Sequence, residues 1–140
     1  MFDDLDKYQN RGSFSFREGD KLRTVSKNVP NLPGVYYFEQ VIEKQKNIIY
    51  IGASGTIETI GEFKKQLLKK RLNNKQDRML RQVFFDNKLR QENISEINVH
   101  WFVTFDEKTK DLPGFVEGLL FQKFFEIHGR LPEWNKNFPT

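Results

Sequence analysis

The 140-residue sequence contains no cysteine. This absence excludes a disulfide scaffold, a cysteine-ligated zinc finger, an iron–sulfur cluster and a thiol nucleophile. Long hydrophobic runs are also missing, since no segment approaches the ~18 apolar residues of a membrane-spanning helix. The first six residues are acidic and lack the apolar stretch of a secretory signal. We therefore expect a globular protein in the cytoplasm.

The net charge is only +4, but the positive residues are concentrated in one block. Residues 62–90 contain ten Lys or Arg and three Asp or Glu, so the rest of the chain is mildly acidic. A basic block on an acidic body favours a polyanionic partner such as DNA. The alternative is a solvated helix surface without a partner.

Hydrophobic residues make up 37% of the chain and charged residues 30%, which is typical of a globular domain. The hydrophobic pattern predicts three β-strands and three helices. The strands are expected at 34–42, 47–51 and 97–105, and the helices at 62–73, 76–90 and 113–128. We therefore predict an α+β fold, with a small three-stranded antiparallel sheet flanked by helices over residues 29–140. Residues 1–28 are expected to form an N-terminal extension.

Arg71 lies where an ordinary surface helix has an apolar residue. Viewed down the axis of the predicted helix, Arg71 lies in the middle of the apolar arc formed by Leu67, Leu68 and Leu72. Its side chain either snorkels out of a crowded face or is directed at a site.

Glu117 occupies a similar position in the last predicted helix. Viewed down the helix axis, Glu117 lies at an angle between Phe121 and Phe124, whereas Glu126 lies on the polar side. A carboxylate inside an apolar arc must be paired, protonated or bound to a cation. Glu117 is therefore a candidate site residue, with a structural ion pair as the alternative.

Five short motifs, in order along residues 30–138, resemble those of the GIY-YIG nuclease superfamily. The segments 34–36 (Gly-Val-Tyr) and 50–52 (Tyr-Ile-Gly) resemble its paired strand signature. Arg71 matches the catalytic arginine of the first-helix motif, and Glu117 matches the metal-binding glutamate of the last helix. Asn135 matches the asparagine of the closing Pro-x-x-Asn segment.

The resemblance implies an endonuclease that hydrolyses DNA phosphodiester bonds with Mg²⁺ or Mn²⁺. Glu117 would hold the metal, and Arg71 would neutralise charge on the phosphate. Tyr36 or Tyr50 would orient or deprotonate the attacking water. Since a free phenol has a pKa near ~10, nearby cations would have to lower it before it acts as a base.

Two further residues take supporting roles by the same resemblance. Lys75 stands where many members carry a histidine, and it would help to lower the tyrosine pKa. Asn135 would fix the region around Glu117 through hydrogen bonds. Two longer gaps, one of them an inserted loop at 57–61, also depart from the family pattern.

The basic block is expected to contact DNA phosphates, which gives affinity rather than sequence choice. The predicted contacts are Lys64, Lys65, Lys69, Lys70, Arg78 and Arg81. Sequence selectivity would come from DNA structure, a protein partner or a homodimer. The departures keep two alternatives open: a catalytically inactive nucleic-acid-binding module on the same fold, and a domain that binds an acidic protein.

Overall fold

The computed structural model describes residues 1–63 and 67–138. Over these residues the chain forms an α+β fold with one four-stranded antiparallel sheet, one two-stranded ladder and four α-helices. After a 3₁₀ turn at Asp3–Leu5, the elements are β1 (Arg11–Phe16), α1 (Leu22–Val25), β2 (Gly34–Ile42), β3 (Gln45–Ser54), α2 (Leu68–Leu72), β4 (Lys75–Gln76), β5 (Met79–Leu80), α3 (Arg81–Gln91), β6 (Glu96–Val103) and α4 (Pro113–His128).

The strand predicted at 34–42 is β2, the strand predicted at 47–51 lies within β3, and the two form a hairpin. The two strands pair antiparallel through Ile42 and Gln45, so Glu43 and Lys44 alone form the turn. Both turn residues have left-handed backbone angles, with φ of 50° and 68°, as two-residue hairpin turns require. The sheet order is β1-β6-β2-β3, so β2 lies inside the sheet between β6 and β3.

The prediction of a three-stranded sheet is wrong, because the N-terminal extension supplies a fourth strand. β1 pairs with β6, and Phe16, opposite Ile97, is buried. The extension also adds Leu5 and Tyr8 to the core, and the Tyr8 hydroxyl donates a 2.7 Å hydrogen bond to Asp111. The extension is therefore packed into the same unit as the rest of the domain.

The two basic helices are shorter than predicted. Of the helix expected at 62–73, the described residues contain only the five of α2. The helix expected at 76–90 begins at Arg81, because β4 and β5 form a small hairpin before it. Asp77 and Arg78 make the hairpin turn with left-handed φ of 52° and 67°, which a right-handed helix does not accommodate.

The last helix, α4, matches its prediction at both ends. Pro113 is its first residue, where the missing N–H of proline costs nothing. Gly129 follows its last residue with a left-handed φ of 68°, and its N–H donates to the Phe125 carbonyl at 2.8 Å. No helix in the two described ranges, α4 included, has the length and apolar composition of a bilayer span. The cytoplasmic location stays a prediction.

A hydrophobic layer covers each face of the sheet. One face packs Tyr36 and Phe38 against Phe85 and against the helices α1 and α2. The other face packs Val35 and Ile51 against α4. Although α2 and α4 lie on opposite faces, side chains from both helices line one cleft beside the last residues of β3.

Candidate active site

Tyr36 of β2 is the buried centre of the site, with 0% of its surface exposed. It pairs across the hairpin with Gly52, and a Cβ atom at position 52 would lie 2.5 Å from the Tyr36 ring. Glycine therefore leaves the space that the phenol fills. Tyr50 lies on the same face, with its ring centroid 6.3 Å from that of Tyr36. The strand register thus brings the two predicted tyrosines together.

Arg81 lies directly behind the tyrosines and is 1% exposed. Its Nη1 atom donates to the Tyr36 hydroxyl at 3.4 Å and to the carbonyls of Arg71 and Leu72 at 3.1 and 3.5 Å. Its Nε atom donates to the Gln76 side chain at 3.2 Å. The prediction that Arg81 contacts DNA phosphates is wrong, because a buried guanidinium cannot reach them. Arg81 instead ties the end of α2 to β2.

Aromatic faces surround the Arg81 guanidinium. Its central carbon lies 5.4, 5.2 and 5.7 Å from the ring centroids of Tyr36, Phe38 and Tyr50, within the range of cation–π attraction. Within residues 1–63 and 67–138, no carboxylate forms an ion pair with Arg81. The sequence carried a signal for this position, since Arg81 precedes the buried Phe84 by three residues and therefore shares the apolar face of α3.

Arg71 and Glu117 line one cleft of 560 Å³ at the end of the sheet. The cleft lies between the last residues of β3, helix α2 and the first turns of α4. Arg71 reaches it from one face of the sheet and Glu117 from the other. Arg71 is exposed there, whereas Glu117 is partly buried. The two residues that helical periodicity selected separately thus share one cleft.

The electrostatics of the cleft follow from this partial burial. Burial raises the pKa of Glu117 from its ordinary value of 4.5 to about 7, and the positive charge of Arg71 lowers it only in part. The pKa of Arg71 is raised, chiefly by its interaction with Tyr36, while burial opposes this. Near neutral pH the cleft therefore holds a permanent cation and a carboxyl group that readily gains or loses a proton.

The catalytic role that the resemblance implies for the tyrosines stays a prediction, and both phenols interact with Arg71. Neither phenol is among the described residues that line the cleft. Burial raises the pKa of Tyr50 to about 12, and the charges of Arg81 and Arg71 lower it only in part. Tyr50 is therefore protonated at neutral pH. Lys75, the expected helper, is exposed in β4 and is not among the groups that shift the pKa of Tyr50.

Asn135 fixes a different element from the one expected. Its Oδ1 atom accepts a hydrogen bond from the Ile51 N–H, and its Nδ2 atom donates to the Ile51 carbonyl, both at 2.9 Å. The backbone N–H of Trp134 donates to the Ile49 carbonyl at 2.9 Å. The closing segment therefore pairs with the edge strand β3, so Asn135 holds the strand that carries Tyr50, and its hydrogen bonds do not go to Glu117.

The cleft offers one carboxylate to a metal ion. Among the described residues, no group of three or more His, Asp or Glu side chains is arranged to hold a metal. Mg²⁺ suits a site of this kind, because it keeps several waters and binds proteins through one or two carboxylates together with substrate phosphates. Glu117 in an open cleft therefore fits a hydrated Mg²⁺ or Mn²⁺ ion that arrives with a phosphate.

Most of the other predicted DNA contacts are exposed. Lys69, Lys70 and Arg78 face solvent, whereas Lys64 and Lys65 lie outside the described residues. A groove of 1020 Å³ runs between α1 and α2, and no acidic residue is among the described residues that line it. The cations that line this basic groove are Lys21, Arg23, Lys27, Lys69 and Lys70. Sequence reasoning missed the first three because it set the N-terminal segment apart from the domain.

No protein-family model matches the chain, no curated protein matches it, and no solved structure matches it. The resemblance to the GIY-YIG superfamily therefore stays a prediction. What supports it lies within the chain itself: the order of the motifs and the meeting of Arg71 and Glu117 in one cleft.

We predict that replacing Glu117 by Gln stabilises the protein at high pH. The folded state holds the Glu117 proton more tightly than the unfolded state, since its pKa is about 7 rather than 4.5. The stability that this proton provides is fully present below pH 4.5 and is lost as the pH rises through 7. In metal-free buffer, Glu117→Gln should raise the melting temperature by several degrees at pH 8.5, and by much less at pH 4.5. Each kcal/mol corresponds to roughly 3 °C in a domain of this size.

The matched control for this measurement is Glu126→Gln, on the exposed side of the same helix. It should leave the melting temperature nearly unchanged at both pH values. An equal effect of Glu117→Gln at pH 4.5 and pH 8.5 would contradict the raised pKa.

We also predict an energetic coupling between Tyr36 and Arg81. Tyr36→Phe removes the hydroxyl that accepts the 3.4 Å hydrogen bond, and Arg81→Lys keeps the charge but removes the planar fork. In a double-mutant cycle on the free energy of unfolding in urea, the coupling should be about 1 kcal/mol. The control pair, Tyr36→Phe with the exposed Arg78→Lys, should be additive. Additivity in both cycles would show that the hydrogen bond contributes nothing.

Proposed function

We propose that this protein is a DNA endonuclease that hydrolyses phosphodiester bonds with the help of Mg²⁺ or Mn²⁺. The observation that carries the proposal is the cleft shared by Arg71 and Glu117. A planar cation and a carboxylate that can ionise near neutral pH are suited to a phosphate group and its accompanying metal ion. The order of the five motifs along the chain supports the same activity.

Each residue of the site contributes a separate part of this activity. Arg71 binds the phosphate oxygens and stabilises the charge that grows on them during attack by water. The Glu117 carboxyl holds the metal ion once it has lost its proton, so metal binding strengthens as the pH rises through about 7. When bound, Mg²⁺ supplies further charge neutralisation at the phosphate and at the leaving oxygen.

Tyr36 and Arg81 are positioning residues in this proposal. Tyr36 is buried behind the cleft and interacts with the Arg71 guanidinium, and Arg81 holds the Arg71 carbonyl at 3.1 Å. Between them they fix both the backbone and the side chain of Arg71. Because Tyr50 is protonated at neutral pH, it does not serve as the base that deprotonates water.

The basic groove supports DNA as the substrate. It collects cations from two segments that are more than 40 residues apart in the chain, and Lys70 of the groove is the direct neighbour of Arg71. Because α2 contributes residues to both the groove and the cleft, we propose that a DNA strand bound in the groove extends to the cleft. Contacts of this kind provide affinity without sequence choice, so the proposal leaves selectivity to DNA structure, a protein partner or a homodimer.

The position of the tyrosines favours a second candidate function, a nucleic-acid-binding module without catalysis. Neither phenol reaches the cleft, and Tyr50 keeps its proton at neutral pH. If the active site needs a tyrosine base, this cleft binds a phosphate and does not cut. A plasmid-nicking experiment, described next, separates the two functions.

We predict that the protein nicks supercoiled plasmid DNA in Mg²⁺ or Mn²⁺ and that EDTA abolishes the reaction. Glu117→Ala and Arg71→Ala should each lower the rate by about 100-fold or more, which is the usual cost of removing a group that stabilises transition-state charge. Arg71→Lys should fall between Arg71→Ala and the wild type, since it retains the charge without the paired donors.

Glu126→Ala, on the exposed face of the same helix, is the control and should nick at the wild-type rate. Undiminished nicking by both Glu117→Ala and Arg71→Ala would remove the site assignment. Metal-dependent nicking by none of the proteins, with DNA binding retained, would favour the binding module.

A second prediction concerns the basic groove. The double variant Lys21→Ala with Lys27→Ala should bind a 20-bp duplex less tightly in EDTA. The slope of the logarithm of the binding constant against the logarithm of the salt concentration should become shallower by about 0.9 per lost phosphate contact. The matched control is Lys44→Ala with Lys46→Ala, two exposed lysines at the β2–β3 turn. Fluorescence anisotropy across a range of salt concentrations measures the slope. Equal slopes for the groove variant and the wild type would exclude the groove from DNA binding.

A further inference from the structure

Exposed apolar side chains surround the mouth of the cleft that holds Arg71 and Glu117. They come from three separate parts of the chain: the loop after β3, the start of α4 and the closing segment. Four large hydrophobic residues both line the cleft and are exposed, namely Ile57, Leu112, Phe115 and Phe138. Apolar groups gathered around a charged cleft indicate a ligand that is itself partly apolar.

Phe115 is the most prominent of these side chains. It is 61% exposed, although burying a phenylalanine side chain would gain roughly 1.5–3 kcal/mol. Its ring makes no ring–ring contact with another described residue, whereas Phe138 packs edge-on against the buried Phe121 at 5.5 Å. Phe115 also lies in the first turn of α4, so a rigid element holds it at the cleft that Glu117 lines as well.

We propose that Phe115 forms a nucleobase subsite, with Phe138 beside it at the cleft mouth. The inference rests on the proposed function and names the form of DNA that the cleft accepts. A nucleotide combines an anionic phosphate with a flat aromatic base, and the cleft combines a cation with an exposed aromatic ring. The phosphate binds at Arg71, and the adjoining base stacks on Phe115. The Asp and Glu side chains of an acidic peptide supply negative charge but no aromatic face.

A base can stack on Phe115 only when it has left the base stack of the duplex. Unstacking costs a few kcal/mol in paired DNA and least where the base is already unpaired. The subsite therefore selects DNA that has an unpaired or single-stranded nucleotide next to the scissile phosphate. Stacking of this kind accepts every base, since each has an aromatic face.

The test compares two oligonucleotides that have the same phosphate charge. One is a 12-mer of deoxythymidine, and the other is a 12-mer of abasic sugar phosphates. Binding is measured in EDTA, so that neither metal nor cleavage enters the result. The wild type should bind the thymidine 12-mer at least fivefold more tightly than the abasic one.

The variant Phe115→Ala should weaken binding of the thymidine 12-mer by about 5- to 100-fold, the range for removing one aromatic stacking partner. It should leave binding of the abasic 12-mer unchanged, and Phe115→Trp should retain the preference for bases. The matched control is Phe125→Ala, because Phe125 is 53% exposed on the same helix but is not in the cleft lining. It should bind both oligonucleotides as the wild type does.

Three results would overturn the subsite: equal binding of the two oligonucleotides by the wild type, an equal loss for both in Phe115→Ala, or the same loss in Phe125→Ala. The experiment is independent of catalysis. Base-dependent binding through Phe115 in a protein that nicks no DNA would overturn the nuclease and leave the subsite in place. Nicking without base-dependent binding would do the reverse.

Discussion

The site is built around the phenol of Tyr36, which fills the space that Gly52 leaves on the neighbouring strand. A side chain at position 52 would collide with the ring at 2.5 Å, so the pairing of β2 with β3 and the identity of these two residues depend on each other. The Tyr36 hydroxyl then accepts a hydrogen bond from Arg81 and interacts with Arg71. Tyr36 therefore positions the cleft from behind, although it does not touch a ligand in it.

Charge and burial together give the cleft its chemistry. Arg71 and Glu117 come from helices on opposite faces of the sheet and line one cleft beside the last residues of β3. Partial burial makes the carboxyl weakly acidic, with a pKa of about 7, while the guanidinium stays charged. In the proposed function, a phosphate accompanied by a divalent cation is the ligand of this cleft. In the proposals made above, the apolar rim of the cleft binds a base, and the basic groove binds the rest of a DNA strand.

Much of this arrangement could be predicted from the sequence. The β2–β3 hairpin, the ends of α4, and Arg71 and Glu117 all followed from local patterns, because periodicity and turn chemistry act over a few residues. The fourth strand was missed, since its pairing with β6 joins residues about 85 apart. Arg81 was taken for a surface cation because its charge outweighed its place on the apolar face of α3. The tyrosines were assigned to the site by the family resemblance, and strand spacing shows which face a side chain takes but not how deeply it is buried.

A carbon-13 NMR titration of the Glu117 carboxyl tests the central claim most directly. In the metal-free protein we predict a pKa of about 7. With Mg²⁺ and a DNA strand that resists cleavage, we predict that this pKa falls, because the metal binds only the ionised form. An ordinary pKa near 4.5 in the free protein would contradict the account. So would a raised value that Mg²⁺ and DNA leave unchanged, since Glu117 would then not be a metal ligand.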